Sequence, residues 1–411
     1  MKEFVPKIFD VMKTYSKGQF IKDVVAGIIV AIIALPLSIA LALASGVSPE
    51  QGIYTAIFAG FVISFLGGSR VQIAGPTAAF ATIVAGIVAK DGLDGLVIST
   101  ILAGVFLILM GICHFGSLIK FIPYTITTGF TSGIAVTIVI GQLKDFFGVV
   151  YPDGVKPIET TEKLKAFVEN IATINTDAVI VGVVSLVILI ISPMIFKKIP
   201  GSLLAVLAGI LMLKCLPLQV ATIGNLYTIS NALPSFHLPA VNLQIVQNAL
   251  PNAFTIAVLA AIESLLSCVV ADGMINGKHR SDMELVAQGA GNIASALFGI
   301  PATGAIARTA ANIKNGGRTP IAGMVHSITL VIVLVVLMPF AGMIPMPTIA
   351  AILFIVAYNM CQWRIFVHLI KTAPKSDIIV LISTFVLTVI FDLVVAIEIG
   401  MVLACLLFIK R

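Results

Sequence analysis

Long apolar stretches follow one another along almost the whole chain, separated by short polar or charged turns. A membrane-spanning helix needs about 20 apolar residues. The pattern therefore predicts an all-α integral membrane protein with about 14 transmembrane segments. These segments are 24–44, 53–66, 76–89, 95–112, 122–141, 178–196, 200–217, 253–271, 285–300, 302–311, 320–341, 346–361, 378–391 and 393–409.

Two of these segments, 76–89 and 302–311, are too short to cross a hydrocarbon core of roughly 30 Å as continuous helices. The first follows a strand-like run at 71–74 and begins at Pro76, and the second begins after Pro301. Proline suits the first turn of a helix, where its missing N–H costs nothing. The sequence therefore predicts two half-helices, segments 3 and 10, each preceded by a short strand.

The composition restricts the class of protein further. Of 411 residues, 59% are hydrophobic and only 11% are charged, whereas a soluble domain carries roughly 25% charged residues. A water-soluble enzyme or nucleic-acid binder is excluded, because either needs a polar surface. The five cysteines form no C-x-x-C pair, and no catalytic triad, metal cluster or dinucleotide fingerprint occurs. We expect neither enzymatic activity nor a cofactor.

Charge tests the number of crossings. With the N-terminus in the cytoplasm and every segment crossing, the cytoplasmic side holds about three times as many lysines and arginines as the outer side. Omitting one short segment would invert every later loop and remove this bias. We therefore expect both termini in the cytoplasm and a multi-pass protein of the bacterial inner membrane.

The polar stretches divide the chain into two similar halves. Each half has seven segments, and an odd number places the halves in opposite orientations, which is the inverted-repeat plan of many transporters. The expected parts are a cytoplasmic N-terminus at 1–22, segments 1–5 at 23–143, an extracytoplasmic loop at 144–177, segments 6–7 at 178–217, a second extracytoplasmic loop at 218–250, and segments 8–14 at 251–411.

The two predicted helix starts indicate an anion site. A helix start leaves free N–H groups and the positive end of the helix dipole, and two such starts near the membrane midplane attract an anion. Arg308 lies beside the second start, and a charged residue within a membrane segment usually faces a cavity or a partner. Alternatives for Arg308 are a structural ion pair or a position near the cytoplasmic face.

Glu263 is the acidic counterpart, central in an apolar span. Its functional interpretation is a group that couples transport to a proton or cation. The alternative is a fixed partner of Arg308 that holds two segments together. Ser267, one helical turn further on, could share the site.

Three other polar residues within spans are weaker candidates. His326 could relay protons, although a single histidine in a membrane helix more often bonds a neighbour. Asp392 and Glu398 are interpreted as structural.

Four stretches together carry a family resemblance: "ALPLSIALALASGVSPEQGIYTAIF", "GPTAAF", "AAIESLLSCVVADG" and "GAIARTAANIKNGGRTPIAG". In this order they resemble the sulfate permease (SulP) family of anion transporters, over essentially all 411 residues. The resemblance is strongest to the bacterial DauA-like branch of proton-coupled C4-dicarboxylate transporters.

The resemblance implies a core domain of segments 1–4 and 8–11 and a gate domain of segments 5–7 and 12–14. It implies a substrate site between the starts of segments 3 and 10 and assigns coupling to Glu263, with Ser267 nearby. By the same resemblance, Glu263 and Ile306 favour protons over sodium as the coupling ion. The implied substrate-binding residues are Pro76, Thr77, Ala78, Phe80, Ala305, Ile306, Ala307 and Arg308, with Leu37 and Leu41 where several members carry more polar or aromatic residues.

The expected function is proton-coupled uptake of a small inorganic or carboxylate anion, with core moving against gate. A C4-dicarboxylate such as succinate or fumarate is the first choice, then sulfate, then bicarbonate. An anion exchanger, an uncoupled channel or membrane motor, and a nucleobase permease remain alternatives. Expected partners are the lipid bilayer and a second copy of the chain. Family members usually continue into a cytoplasmic STAS domain, which we expect this chain to lack because the sequence ends at Arg411.

Overall fold

The computed structural model describes residues 4–117, 124–152, 154–155, 157–196, 199–229, 234, 239 and 243–390. Within these ranges the chain consists of α-helices and one pair of two-residue strands. The prediction of an all-helical membrane protein is confirmed at this level. The predicted segment 393–409, together with Asp392 and Glu398, lies outside the described residues.

The chain forms two compact units. Unit 1 contains Met1–Phe80, Lys90–Lys120 and Ile229–Pro339. Its helices pack around a short antiparallel pair of strands. Its elements are α1 (Lys7–Met12), α2 (Lys17–Ala44), α3 (Pro49–Leu66), β1 (Ala74–Gly75), most of α4 (Ala78–Ile112), α10 (Leu243–Ile275), α11 (Ser281–Ala296), β2 (Thr303–Gly304), α12 (Ile306–Lys314) and nearly all of α13 (Pro320–Ala341).

Unit 2 contains Ala81–Ala89, Phe121–Thr228 and Phe340–Arg411. In its described part, α5 (Tyr124–Phe147) packs against α7 (Thr176–Ile195), α14 (Met346–Cys361) and α16 (Lys375–Ile390), and α7 also packs against α8 (Gly201–Cys215). Its elements are α5 (Tyr124–Phe147), α6 (Thr160–Glu169), a 3₁₀ turn (Ile171–Thr173), α7 (Thr176–Ile195), α8 (Gly201–Cys215), α9 (Ile223–Leu226), α14 (Met346–Cys361), α15 (Trp363–Thr372) and α16 (Lys375–Ile390).

Local sequence signals explain where several helices begin and bend. The Ser16 hydroxyl accepts a hydrogen bond of 3.2 Å from the Gln19 N–H at the start of α2. Pro49 occupies the first turn of α3. The predicted segments 76–89 and 95–112 form two helices that meet at a kink and together make up α4. At the kink Gly92 has a non-helical backbone, with a φ of 70° that favours glycine.

Seven described helices are long and apolar enough, by length and composition, to cross a membrane. They are α2, α4, α5, α7, α10, α13 and the α14–α15 pair. Large apolar side chains lie exposed along them, for example Val183 and Ile190 on α7 and Ile332 and Val336 on α13. A contiguous exposed apolar surface of this kind suits lipid rather than water.

The boundaries of the two predicted loops differ from the structure. Helix α10 begins at Leu243, inside the stretch predicted as a loop to residue 250, and α6 lies within the predicted loop 144–177. Both stretches are polar, so hydropathy marks them as loops. Polar side chains nevertheless form helices readily, because helix propensity does not depend on hydrophobicity.

A buried carboxylate anchors the N-terminal end of unit 1. The Asp23 side chain on α2 accepts hydrogen bonds from the Tyr15 hydroxyl at 3.1 Å, the Gln19 amide at 2.9 Å and the Thr319 hydroxyl at 2.6 Å. The Arg318 backbone N–H adds a fourth at 2.9 Å. Burial, followed by the charge of Asp23, raises the pKa of Tyr15 to about 12. The network joins the start of α2 to the segment between α12 and α13.

Candidate anion-binding site

The two short strands bring the broken segments of unit 1 together. β1 and β2 pair antiparallel, with Ala74 opposite Gly304 and Gly75 opposite Thr303. The Ala305 N–H extends the pairing with a 2.9 Å hydrogen bond to the Ile73 carbonyl. Since α4 and α12 begin shortly after these strands, the pairing holds the two helix starts at a fixed separation. The prediction of a short strand before each half-helix is confirmed.

The first helix start is formed by residues before and within the first turn of α4. Thr77 is the N-cap residue with an extended backbone, and its side chain makes no capping bond. Instead, the Thr77 hydroxyl donates a 2.8 Å hydrogen bond to the Glu263 carboxylate on α10. The backbone N–H groups at this start therefore have no side-chain cap from the N-cap residue. Such groups favour a negative charge.

Arg308, in the first turn of α12, lies against this first start. Its side chain is 1% exposed, and its Nη2 atom donates to the Pro76 carbonyl at 3.0 Å and to the Ser38 hydroxyl at 3.4 Å. A Cβ atom on Gly75 would overlap the Nη1 atom, so only glycine permits this approach. The guanidinium thus bridges α12, β1 and α2.

The positive charge of Arg308 has no carboxylate partner among the described residues. Its Nε and Nη1 atoms are buried without a hydrogen-bond partner there. The alternative interpretation, a fixed ion pair between Arg308 and Glu263, is wrong, because Glu263 is bound by Thr77 and Arg308 by Pro76 and Ser38. A buried cation with donors to spare is suited to bind an anion.

Ser267 lies in the same part of unit 1. Its hydroxyl donates to the Thr309 hydroxyl at 3.4 Å, and Thr309 in turn accepts the Ile73 N–H at 3.0 Å. Ser267 therefore connects α10 to the residue that follows Arg308. Through Thr309 it also reaches the backbone just before β1.

The other predicted substrate-binding residues differ in their solvent exposure. Ile306 is 41% exposed and Ala307 is also exposed, while Leu37 and Thr77 are partly exposed. These positions offer accessible surface. Buried positions are Leu41, Pro76, Ala78, Phe80 and Ala305. Phe80 and Leu41 thus belong to the packing beneath the helix starts.

Sequence reasoning missed the side chains that hold the broken backbone in place. The Asn292 amide pairs with both polar groups of Ala302, donating to the carbonyl and accepting from the N–H, each at 2.9 Å. Thr55 does the same for Ile300, accepting its N–H at 2.8 Å and donating to its carbonyl at 2.9 Å. Asn312 donates to the Val71 carbonyl at 2.9 Å.

A second missed group is the buried carboxylate of Glu284 on α11. It accepts hydrogen bonds from the Gly68 and Ser69 N–H groups at 2.9 and 3.0 Å, and from the Gln72 and Gln288 amides at 2.9 and 3.0 Å. The detectable signal was polar residues in a helix of otherwise small and apolar ones, "ELVAQGAGNIASAL", which begins at Glu284. Buried polar groups require partners, so these residues satisfy backbone that helix and sheet leave unpaired.

Comparison with known proteins agrees with this architecture. Residues 20–384 match the family model described as the sulfate permease family. The chain is 42% identical over 406 residues to the Bacillus subtilis protein named "Putative sulfate transporter YvdB", covering 97% of this chain and 75% of that protein. It is 32% identical over 401 residues to the bicarbonate transporter BicA of Picosynechococcus, covering 95% and 70% respectively.

A solved structure is also similar. The transmembrane domain of a cyanobacterial bicarbonate transporter BicA superposes with a TM-score of 0.82 at 29% identity, covering 93% of this chain and 98% of that one. The relatives are transporters, not enzymes. The chain therefore belongs to the sulfate permease family, and it is a membrane anion transporter.

Proposed function

We propose that this chain is a secondary active transporter that moves a small oxyanion together with a proton. The observation that carries the proposal is Arg308: a buried guanidinium lies between two helix starts and has no carboxylate partner among the described residues. Backbone N–H groups and one guanidinium suit tetrahedral and carboxylate anions alike.

The named relatives change the order of substrates. One is named as a sulfate transporter and another as a bicarbonate transporter. We therefore place sulfate first, bicarbonate second and a C4-dicarboxylate third. Leu37, which is apolar and partly exposed in α2, favours a compact anion with few polar contacts on that side.

Glu263 is the proposed coupling group. Its carboxylate receives a hydrogen bond from Thr77, the N-cap residue of α4, whose side chain makes no capping bond. Protonation of Glu263 removes a negative charge from the neighbourhood of the incoming anion, so proton and anion favour each other's binding. Transport then follows from movement of unit 1, as core, against unit 2, as gate, in the inverted-repeat manner.

Uptake by proteoliposomes tests both parts of the proposal. Labelled sulfate, succinate and bicarbonate are supplied with and without an inward proton gradient, and with a sodium gradient in its place. We expect an inward proton gradient to stimulate sulfate uptake several-fold. The Glu263→Gln variant should bind sulfate but lose that stimulation.

The matched control is Glu169→Gln on the exposed surface of α6, which should behave as the wild type. Uptake by the wild type that ignores the proton gradient would refute proton coupling. Stimulation by sodium alone would assign the coupling to that ion instead.

A further inference from the structure

His326 is a buried polar group that the proposed mechanism does not use. It lies on α13, its side chain is 0% exposed, and neither ring nitrogen has a hydrogen-bond partner among the described residues. The expectation that a single membrane histidine bonds a neighbour is wrong here. A buried polar group without a partner is costly and rare, which calls for an explanation.

The position of His326 places it with Arg308. The next residue, Ser327, donates a 3.2 Å hydrogen bond to the Ala56 carbonyl on α3, and Ala56 is also adjacent to Gly75, where Arg308 packs. The Arg308 guanidinium acts electrostatically on the His326 ring. The two side chains therefore occupy one interior region of unit 1.

The other ionisable groups on the elements around α13 lie elsewhere along those helices. The contacts of Gly27, Gly60 and Gly323 show that α13 packs against α2, α3 and the segment leading into β1. Ionisable residues of these elements and of α12 are Lys17, Lys22, Asp23, Glu50, Tyr54, Arg70, Arg308 and Lys314. Of these, Arg308 is the group that acts on His326.

This region contains buried nitrogen atoms that lack hydrogen-bond partners. Nε and Nη1 of Arg308 and both ring nitrogens of His326 are all buried and without partners among the described residues. A second positive charge beside a buried guanidinium is unfavourable, because charges interact strongly where the dielectric constant is low. A bound dianion would make a second positive charge favourable, because its two negative charges exceed the single positive charge of Arg308.

We propose that His326 takes up a proton when a dianion binds beside Arg308, so that the two side chains together balance its two charges. This inference rests on the proposed function, that is, on anion binding at Arg308. The proton comes from solution, adds to a ring nitrogen of His326 and returns to solution when the anion leaves. A monoanion is balanced by Arg308 alone and recruits no proton. His326 is therefore a specificity-determining residue that distinguishes dianions from monoanions.

Proton counting by calorimetry tests the inference on the purified full chain in detergent. Sulfate and nitrate are titrated in two buffers of different ionisation enthalpy, and the difference in heat gives the protons taken up. For the wild type we expect sulfate to take up about one proton more than nitrate, because a proton taken up by Glu263 accompanies either anion and only the dianion recruits the proton of His326. Equal proton uptake for the two anions in the wild type overturns the inference without any variant.

Two variants locate the proton. His326→Gln should bind sulfate about tenfold more weakly, as expected for a modest coupling free energy, lose the extra proton taken up with sulfate and keep the nitrate affinity of the wild type. The control His368→Gln replaces an exposed histidine on α15 and should leave the proton count unchanged. If Glu263→Gln abolishes the difference in proton uptake between sulfate and nitrate and His326→Gln does not, the inference is wrong. If neither anion binds the wild type, the proposed function fails, and the inference fails with it.

Discussion

At the scale of the single residue, the proposed anion binding depends on Arg308. Among the described residues its buried guanidinium donates to one carbonyl and one hydroxyl, so most of its charge is uncompensated there. Burial of this uncompensated charge destabilises the folded state, and a bound anion would offset that destabilisation. The same charge would repel a cationic substrate. In the proposed function, the bound anion thus balances a charge that the folded protein leaves uncompensated.

Replacing Arg308 should weaken anion binding in proportion to what is removed. Arg308→Lys keeps a charge but loses the planar set of donors, and Arg308→Ala removes both. We expect sulfate affinity to fall about tenfold in the first and about a hundredfold in the second, since hydrogen bonds to charged groups are worth about 1.5–3 kcal/mol. Calorimetric titration of the purified variants measures both.

Arg364→Ala is the control for this series, because Arg364 lies exposed on α15. It should bind sulfate like the wild type. Sulfate binding by Arg308→Ala at the wild-type affinity would remove Arg308 from the site.

Sequence reasoning could identify Arg308 and Glu263 because a charge in an apolar span is conspicuous. It could not identify their partners. Thr77 meets Glu263 across 186 positions of the chain, and Pro76 meets Arg308 across 232. Such contacts depend on the packing of α4, α10 and α12, which local pattern does not specify. For the same reason, only the structure reveals that His326 has no hydrogen-bond partner among the residues it describes.

At the scale of the element, the unusual feature is a sheet of two residues per strand within a helical membrane protein. β1 and β2 satisfy backbone groups that a broken helix would otherwise leave unpaired at membrane depth. Asn292 and Thr55 satisfy the backbone that leads into β2. The broken segments are thus rigidly held, which prepares the helix starts for binding before the anion arrives.

Adding a methyl group at Gly75 should disturb this arrangement. The Cβ atom of Gly75→Ala would overlap Nη1 of Arg308, so the guanidinium must move away from the Pro76 carbonyl. We expect sulfate affinity to fall about tenfold, because one charge-assisted hydrogen bond is lost or distorted. Sulfate-dependent thermal shifts of the purified variant report the change.

Gly86→Ala serves as the comparison, because a Cβ atom there meets nothing within 4 Å. That variant should bind sulfate normally. If Gly75→Ala binds equally well, the close approach of Arg308 to β1 does not matter for the site.

The hydropathy pattern predicted which helices and strands exist better than it predicted where they begin and end. A Gly-Pro break and a second break near Pro301 were sufficient to predict strands and helix starts. The break between segments 76–89 and 95–112 was predicted, and it coincides with the kink at Gly92. The early start of α10 at Leu243 was not predicted, because it depends on helix propensity and packing, to which hydropathy is insensitive. The register of β1 against β2 was not predictable at all, since two residues carry no pattern.

At the scale of the whole molecule, the distribution of lysine and arginine predicts which ends of the helices face the cytoplasm. Cys113 ends α4 and Cys215 ends α8, and both are exposed. With the N-terminus inside and every predicted segment crossing, Cys113 lies on the cytoplasmic side and Cys215 on the outer side.

Labelling of single-cysteine variants in intact cells tests this orientation. A membrane-impermeant maleimide should label the variant that keeps Cys215 and spare the one that keeps Cys113. Permeabilised cells should label both, which controls for accessibility. The reverse pattern would show that the orientation is opposite to the predicted one. Labelling of both cysteines in intact cells would place them on the same side of the membrane, which contradicts the predicted odd number of crossings between them.

The pairing of β1 with β2 also has a consequence for biosynthesis. The Ile73 N–H finds its acceptor, Thr309, 236 positions later in the chain. During synthesis the first half therefore enters the bilayer with unpaired backbone that only the second half can satisfy. Contacts so distant in sequence form slowly and late. The newly made N-terminal half must accordingly be sheltered, by water or by the insertion machinery, until α12 leaves the ribosome.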